Sequence, residues 1–209
     1  HALWGLLGWV VILIMAVSSQ VIPMFFVTPE FSVKYLKGLS VSIVLSLMLI
    51  SVVTRHYDEA LQAILSLQLV FFAFYTLKLI NLRKRKLPDT TVDFITLSAI
   101  SLFVTIVLWW LYKQSFDMNY YVSLPAFEFT IAILLIYGLA LSAIIGMMQK
   151  IVPFLIYLNL QNLSMHHPGS ITLVPNMKNL ISVQNSRIQF YVHLVSFILL
   201  LMSVFLPII

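Results

Sequence analysis

Six apolar runs, each long enough to cross a bilayer, constrain this chain more than anything else in it. They lie at 2–26, 36–53, 59–80, 92–112, 126–149 and 188–207. About 20 apolar residues in helical form cover the ~30 Å hydrocarbon layer, and peptide groups there must be satisfied internally. The expected fold is therefore all-α: a polytopic transmembrane helical bundle of about six spans. Charge agrees. Only 9% of residues are charged, against about 25% in a soluble domain. A lipid solvent removes the need for a charged surface.

The second run is short and borrows flanking residues. The tail of the fifth, "KIVPFLIYLNLQN", continues through Pro153 towards Leu160. It reads as a kinked extension or an interfacial helix, because proline removes a backbone donor and crowds the preceding turn. Residues 1–209 read as one transmembrane domain, with 161–186 as a polar connection holding turns and one short surface helix. The chain opens on His rather than Met, with no basic segment ahead of the first apolar run. It reads as part of something longer, with no signal peptide in view.

The basic residues sort by side. Lys34, Lys37, Lys78, Arg83, Lys84, Arg85, Lys86, Lys150, Lys178 and Arg187 fall on one side of the six-span topology, and only Arg55 and Lys113 on the other. Lys and Arg accumulate in cytoplasmic loops. Both ends of the segment are then expected on the outer side, periplasmic in a bacterial inner membrane. The net charge of +5 is a topology signal confined to loops, and nucleic acid is not expected as a partner. The expected partners are the lipid bilayer and other membrane subunits or upstream spans of the same chain.

There is no cysteine, which excludes disulfides, thiolate metal sites, iron–sulfur clusters and covalent c-type haem attachment. The carboxylates Glu30, Asp58, Glu59, Asp89, Asp93, Asp117 and Glu128 sit at span ends or in loops, which disfavours ion-coupled transport through a midplane acid. No phosphate loop, nucleophile elbow or zinc-protease pattern occurs. Whether the chain is an enzyme stays open, leaning against.

Polar residues inside the spans form stripes. In the first run Gly5, Gly8, Ala16 and Ser19 fall within about 80° of one another at the helical period. The fifth has Gly138, Ser142 and Gly146 at four-residue spacing, with Gln149 on the same side. Such small-residue rows let helix backbones approach closely. The fourth lines up Thr91, Ser98, Ser101 and Thr105. The sixth lines up Ser186, Gln189, His193, Ser196 and Ser203 within about 100°. An amide or imidazole facing hydrocarbon costs kilocalories, so the sixth run faces helices or a wet cavity. The expectation is that Ser18, Ser19 and Gln20 meet Gln189 and His193, in a polar cavity lined by Ser19, Gln20, Gln189 and Ser196. Pro23 then ends or bends the first helix where Gln20 needs room.

Five histidines remain as ligand candidates. His56, in "TRHYDE", reads as a solvated loop residue. His166 and His167 precede Pro168-Gly169 and read as a turn, with metal binding the lesser alternative. His193 is either a cofactor ligand or a core histidine satisfied by a hydrogen bond. His1, one turn before Gly5 and Gly8, stands where a helix-borne ligand would be.

"HALWGLLGWVVILIMAVSSQVIPMF" at 1–25 and "GMMQKIVPFLIYLNLQ" at 146–161 resemble a pattern in outlying relatives of haem-copper oxidase subunit I and in NnrS-type haem membrane proteins. The resemblance implies an all-helical bundle with haem or metal held by helix-borne histidines. It matches His1 to a ligand histidine, Gly5 and Gly8 to the face beside it, and Gln20–Pro23 to a bend. The second motif departs where an aromatic-x-His often follows "PFL": here Tyr157-Leu158-Asn159 stands. With only His193 internal, no binuclear oxidase centre can be assembled. The leading expectation is a haem-binding or redox-associated membrane protein with His1 and His193 as ligands, unlikely to reduce oxygen alone. The alternatives are a small-molecule or metal transporter and a non-catalytic assembly subunit.

Overall fold

The structure, a computed structural model, describes residues 1–52, 58–84, 88–117, 124–165 and 180–205. All regular elements among the described residues are helices. Six are long and apolar enough to cross a membrane: α1 (Trp4–Phe26), α2 (Val33–Val52), α3 (Glu59–Asn81), α4 (Thr90–Gln114), α5 (Ala126–Ser164) and α6 (Val183–Ser203). The protein is an all-α, multi-pass membrane bundle.

Two boundaries differ from the hydropathy reading, each for a local reason. α6 starts at Val183 rather than 188, because Ser182 caps it. Its backbone is extended and its Oγ accepts the Asn185 N–H at 3.1 Å, which satisfies a donor that the first turn leaves open. α5 does not stop at 149. It runs 39 residues, about 58 Å at 1.5 Å per residue, with Pro153 inside the helix. The expected extension through Pro153 is present as continuous helix through Ser164, and residues 161–164 of the expected polar connection belong to it. The turns and short helix expected beyond fall largely in 166–179, outside the described residues.

Side-chain bonds show neighbouring helices running antiparallel. At one end Trp4 donates its indole N–H to Ser51 at 3.0 Å, joining the start of α1 to the end of α2. Nearby Trp109 donates to Gln62 and Trp110 to Ser66, both at 3.2 Å, joining α4 to α3. At the other, basic end Lys150 of α5 meets Asp89 at 2.6 Å. That ammonium also lies 5.8 Å from the centre of the Phe26 ring, so one cation links α1, α4 and α5. Asp89 in turn accepts the Thr91 N–H at 3.1 Å, capping α4.

α4 is the central helix, packed on α3, α5 and α6. The main apolar core runs from Val11 and Met15 of α1 through Ile43 and Leu47 of α2 to Leu69, Leu102 and Leu139. Large apolar side chains such as Leu67, Phe74, Phe103, Tyr191 and Leu199 are exposed around the outside. In water such a surface would aggregate; in a bilayer it faces acyl chains.

Candidate functional site

α4 and α5 meet along their small-residue stripes. A Cβ added to Gly138 would lie 2.5 Å from Ser101 Oγ and 2.9 Å from Phe197, and one added to Gly146 would lie 2.8 Å from Phe94 Cβ. These glycines have no room for a side chain, so their role is close packing, as the spacing predicted. Within α5, Leu134–Leu141 is wound as a π-helix. The wider turn belongs with two unusual hydroxyl bonds. Ser98 of α4 donates to the Leu139 carbonyl at 3.1 Å, and Ser142 donates to the Tyr137 carbonyl at 3.1 Å.

His193 enters this seam from α6. It is buried, and its Nε2 lies 2.8 Å from Ser142 Oγ. With the hydroxyl proton on the Tyr137 carbonyl, the ring donates through Nε2–H; with the proton turned to the ring, Nε2 accepts. Either way Nε2 is occupied. The ring stacks on Tyr137 at 4.5 Å between centres and 11° between planes, with Phe94 at 5.3 Å. In this structure Nε2 is taken by Ser142, and Tyr137 and Phe94 lie against the ring. Of the two sequence readings, His193 is the satisfied core histidine. In the sequence Ser142 stands out only as part of a glycine row, and nothing in the spacing of Tyr137 and Phe94 marks them as the walls of an imidazole slot.

His1 contrasts with it in every respect. It is exposed, and a Cβ on Gly5, one turn further along, would meet nothing within 4 Å. Gly8 is only partly open: a Cβ there would meet Leu47 at 3.2 Å and the Trp4 ring at 3.3 Å. An exposed imidazole beside an open glycine fits one axial bond and one face of a flat ring. The described residues hold no group of three or more His, Asp or Glu placed to bind a metal. His56, His166 and His167 lie outside the described residues.

The expected meeting of α1 with α6 does not occur, and the polar cavity is corrected accordingly. Gln189 instead accepts a bond from Gln149 of α5 at 3.0 Å, and Ser196 is half-buried on α6. Ser18 is buried, while Ser19 donates to its own helix at Ala16, 2.6 Å away. Ser19 and Gln20 line a different space, a cleft of about 890 Å³ between α1 and α2 at the basic end, with Pro23, Glu30, Lys37 and Ser40. Two stripes with matching composition had suggested one cavity. The order of the helices around α4 separates them, because α6 packs on α4 and α5 while α1 packs on α2, α3 and the middle and C-terminal parts of α5. Pro23 does not end α1; it lies inside the helix, which closes at Val27 in the left-handed region, φ 51°. No family model matches this chain, and neither a curated protein nor a solved structure is significantly similar to it.

Proposed function

We propose that this chain is the membrane-embedded part of a haem-binding, redox-associated protein, with His1 rather than His193 as the ligand histidine. The observation that supports it is the pairing of an exposed imidazole with the open Gly5 face on the same side of α1. His1 would hold the iron through a ring nitrogen, and Gly5 would admit the flat ring against the helix. Trp4, fixed by its bond to Ser51, would stiffen the helix start beside that face. Haem would supply redox chemistry through its iron. Any further groups needed to hold the haem would come from another subunit. Oxygen reduction is not part of the reading. Ten of the twelve basic residues on one side support an inner-membrane placement with the His1 end periplasmic.

The test is a visible spectrum of the protein purified from membranes. The expected result is a Soret band that His1→Ala removes and His193→Ala leaves in place. A colourless preparation, or a band indifferent to His1, overturns the reading.

One observation favours a second reading, a non-catalytic assembly subunit. The bonds Ser98–Leu139, Ser142–His193, Gln149–Gln189 and Gln68–Ser46 all join helices. The stripes would then only lock the bundle: His193→Ala would lower stability, His1→Ala would leave it unchanged, and neither would alter a spectrum. For the transporter reading, Ser19 and Gln20 line the α1–α2 cleft, whereas His193 and Gln189 bond to α5.

A further inference from the structure

The α1–α2 cleft is built differently from the rest of the bundle. Among the described residues, the Gln20 amide and Ser40 hydroxyl that line it have no hydrogen-bond partner, and Glu30 and Lys37 form no ion pair. The cleft lies at the basic end and Gln20 is exposed. An amide left against hydrocarbon is costly, so whatever fills the cleft brings polar atoms to that depth.

The depths form a ladder. Glu30 stands at the mouth, in the connection before α2. Lys37 is four residues into α2, about 6 Å at the helical rise. Ser40 is seven residues into α2 and Gln20 six residues above the end of α1, both about 10 Å deep. Beyond them Met15, Ala16 and Val41 continue the lining as apolar surface. From the mouth inward the polar groups run anion, cation, neutral donors, with apolar residues lining the cleft at every depth.

We infer that this cleft holds one phospholipid with a primary-ammonium headgroup, from the leaflet at the basic end. Its ammonium meets Glu30, its phosphate Lys37, and its ester carbonyls the donors of Gln20 and Ser40, while an acyl chain follows Ala16 and Val41. One acid and one base match a zwitterion better than an anionic lipid, which would leave Glu30 repelling it. A choline headgroup lacks N–H donors for the carboxylate. The inference is independent of the haem reading, which concerns the opposite end of α1.

Native mass spectrometry of the full chain, released from detergent with equal amounts of phosphatidylethanolamine, phosphatidylglycerol and phosphatidylcholine of identical acyl chains, tests it. The expected result is about fivefold greater retention of phosphatidylethanolamine, a ratio in the range of one charge-assisted contact. Glu30→Gln should erase the preference over phosphatidylglycerol. Lys37→Gln, which removes the phosphate contact, and Gln20→Leu, which removes the ester contact, should each weaken all three lipids. Glu128→Gln, exposed at the far end, should change nothing. Lipid extracted from the protein as it leaves the membrane should be enriched in phosphatidylethanolamine relative to the bulk membrane, should a variant not survive purification. Equal retention of the three lipids, or a preference that persists in Glu30→Gln, overturns the inference. So does a two-chain species that excludes lipid, which would give the cleft to a second copy.

Discussion

The seam where α4, α5 and α6 meet and the cleft between α1 and α2 share a vocabulary of Ser, Gln and small residues, yet they use it in opposite ways. In the seam, Ser98, Ser142, His193, Gln149 and Gln189 each reach a neighbouring helix, and the glycine spaces are filled. In the cleft, Ser19 turns back on its own helix, and Gln20 faces open space. The lesson is that a polar stripe in a membrane helix has no fixed meaning. Its role depends on whether the neighbouring helix comes within hydrogen-bonding reach. A filled seam fixes structure, whereas an open one leaves donors for a ligand.

Four substitutions probe that contrast, all read as unfolding midpoints in detergent. The largest effect is predicted for His193→Ala. It removes the bond from Ser142 to α6 and opens a void between Tyr137 and Phe94, for a loss of about 3 kcal/mol; an unchanged midpoint would mean that the seam does not depend on the imidazole. Gly138→Ala comes next, at about 2 kcal/mol of destabilisation, because its Cβ would meet Ser101 Cβ at 2.7 Å, an atom that cannot swing aside. A neutral result there would show that α4 and α5 are not in close contact.

On the cleft side the signs should reverse. Val27 closes α1 with φ 51°, a conformation that a β-branched residue adopts only under strain. Val27→Gly should therefore stabilise the protein by about 1 kcal/mol, and a loss would show that the side chain contributes more than the backbone costs. The smallest effect is predicted at the opposite end of α1 for Gly5→Ala, a gain of about 0.5 kcal/mol from helix propensity, since nothing lies near the new methyl. If the haem reading holds, the same methyl should perturb the Soret band. A variant that gains stability and keeps its spectrum would separate Gly5 from any cofactor.

Much of the bundle was legible along the chain. Apolar length alone located six helices, and four-residue spacing found the packing role of Gly138 and Gly146. Boundaries were less legible where chemistry other than hydropathy decides them. Ser182 begins α6 among polar residues because a cap needs an oxygen and not an apolar side chain. α5 passes Pro153 because losing one backbone donor does not undo a helix supported on both sides of it. The left-handed Val27 had no sequence signal, since valine is a poor choice for that position.

The sequence by itself determined that this chain lives in lipid, that it crosses as helices, and which faces of those helices are polar. These are local properties, set by transfer free energy and by a period of 3.6 residues. Only the tertiary structure decided that His193 closes on Ser142, and that Gln20 never meets Gln189. Equal composition on two stripes says that each needs a polar neighbour, but the arrangement of the helices around α4 chooses the neighbour.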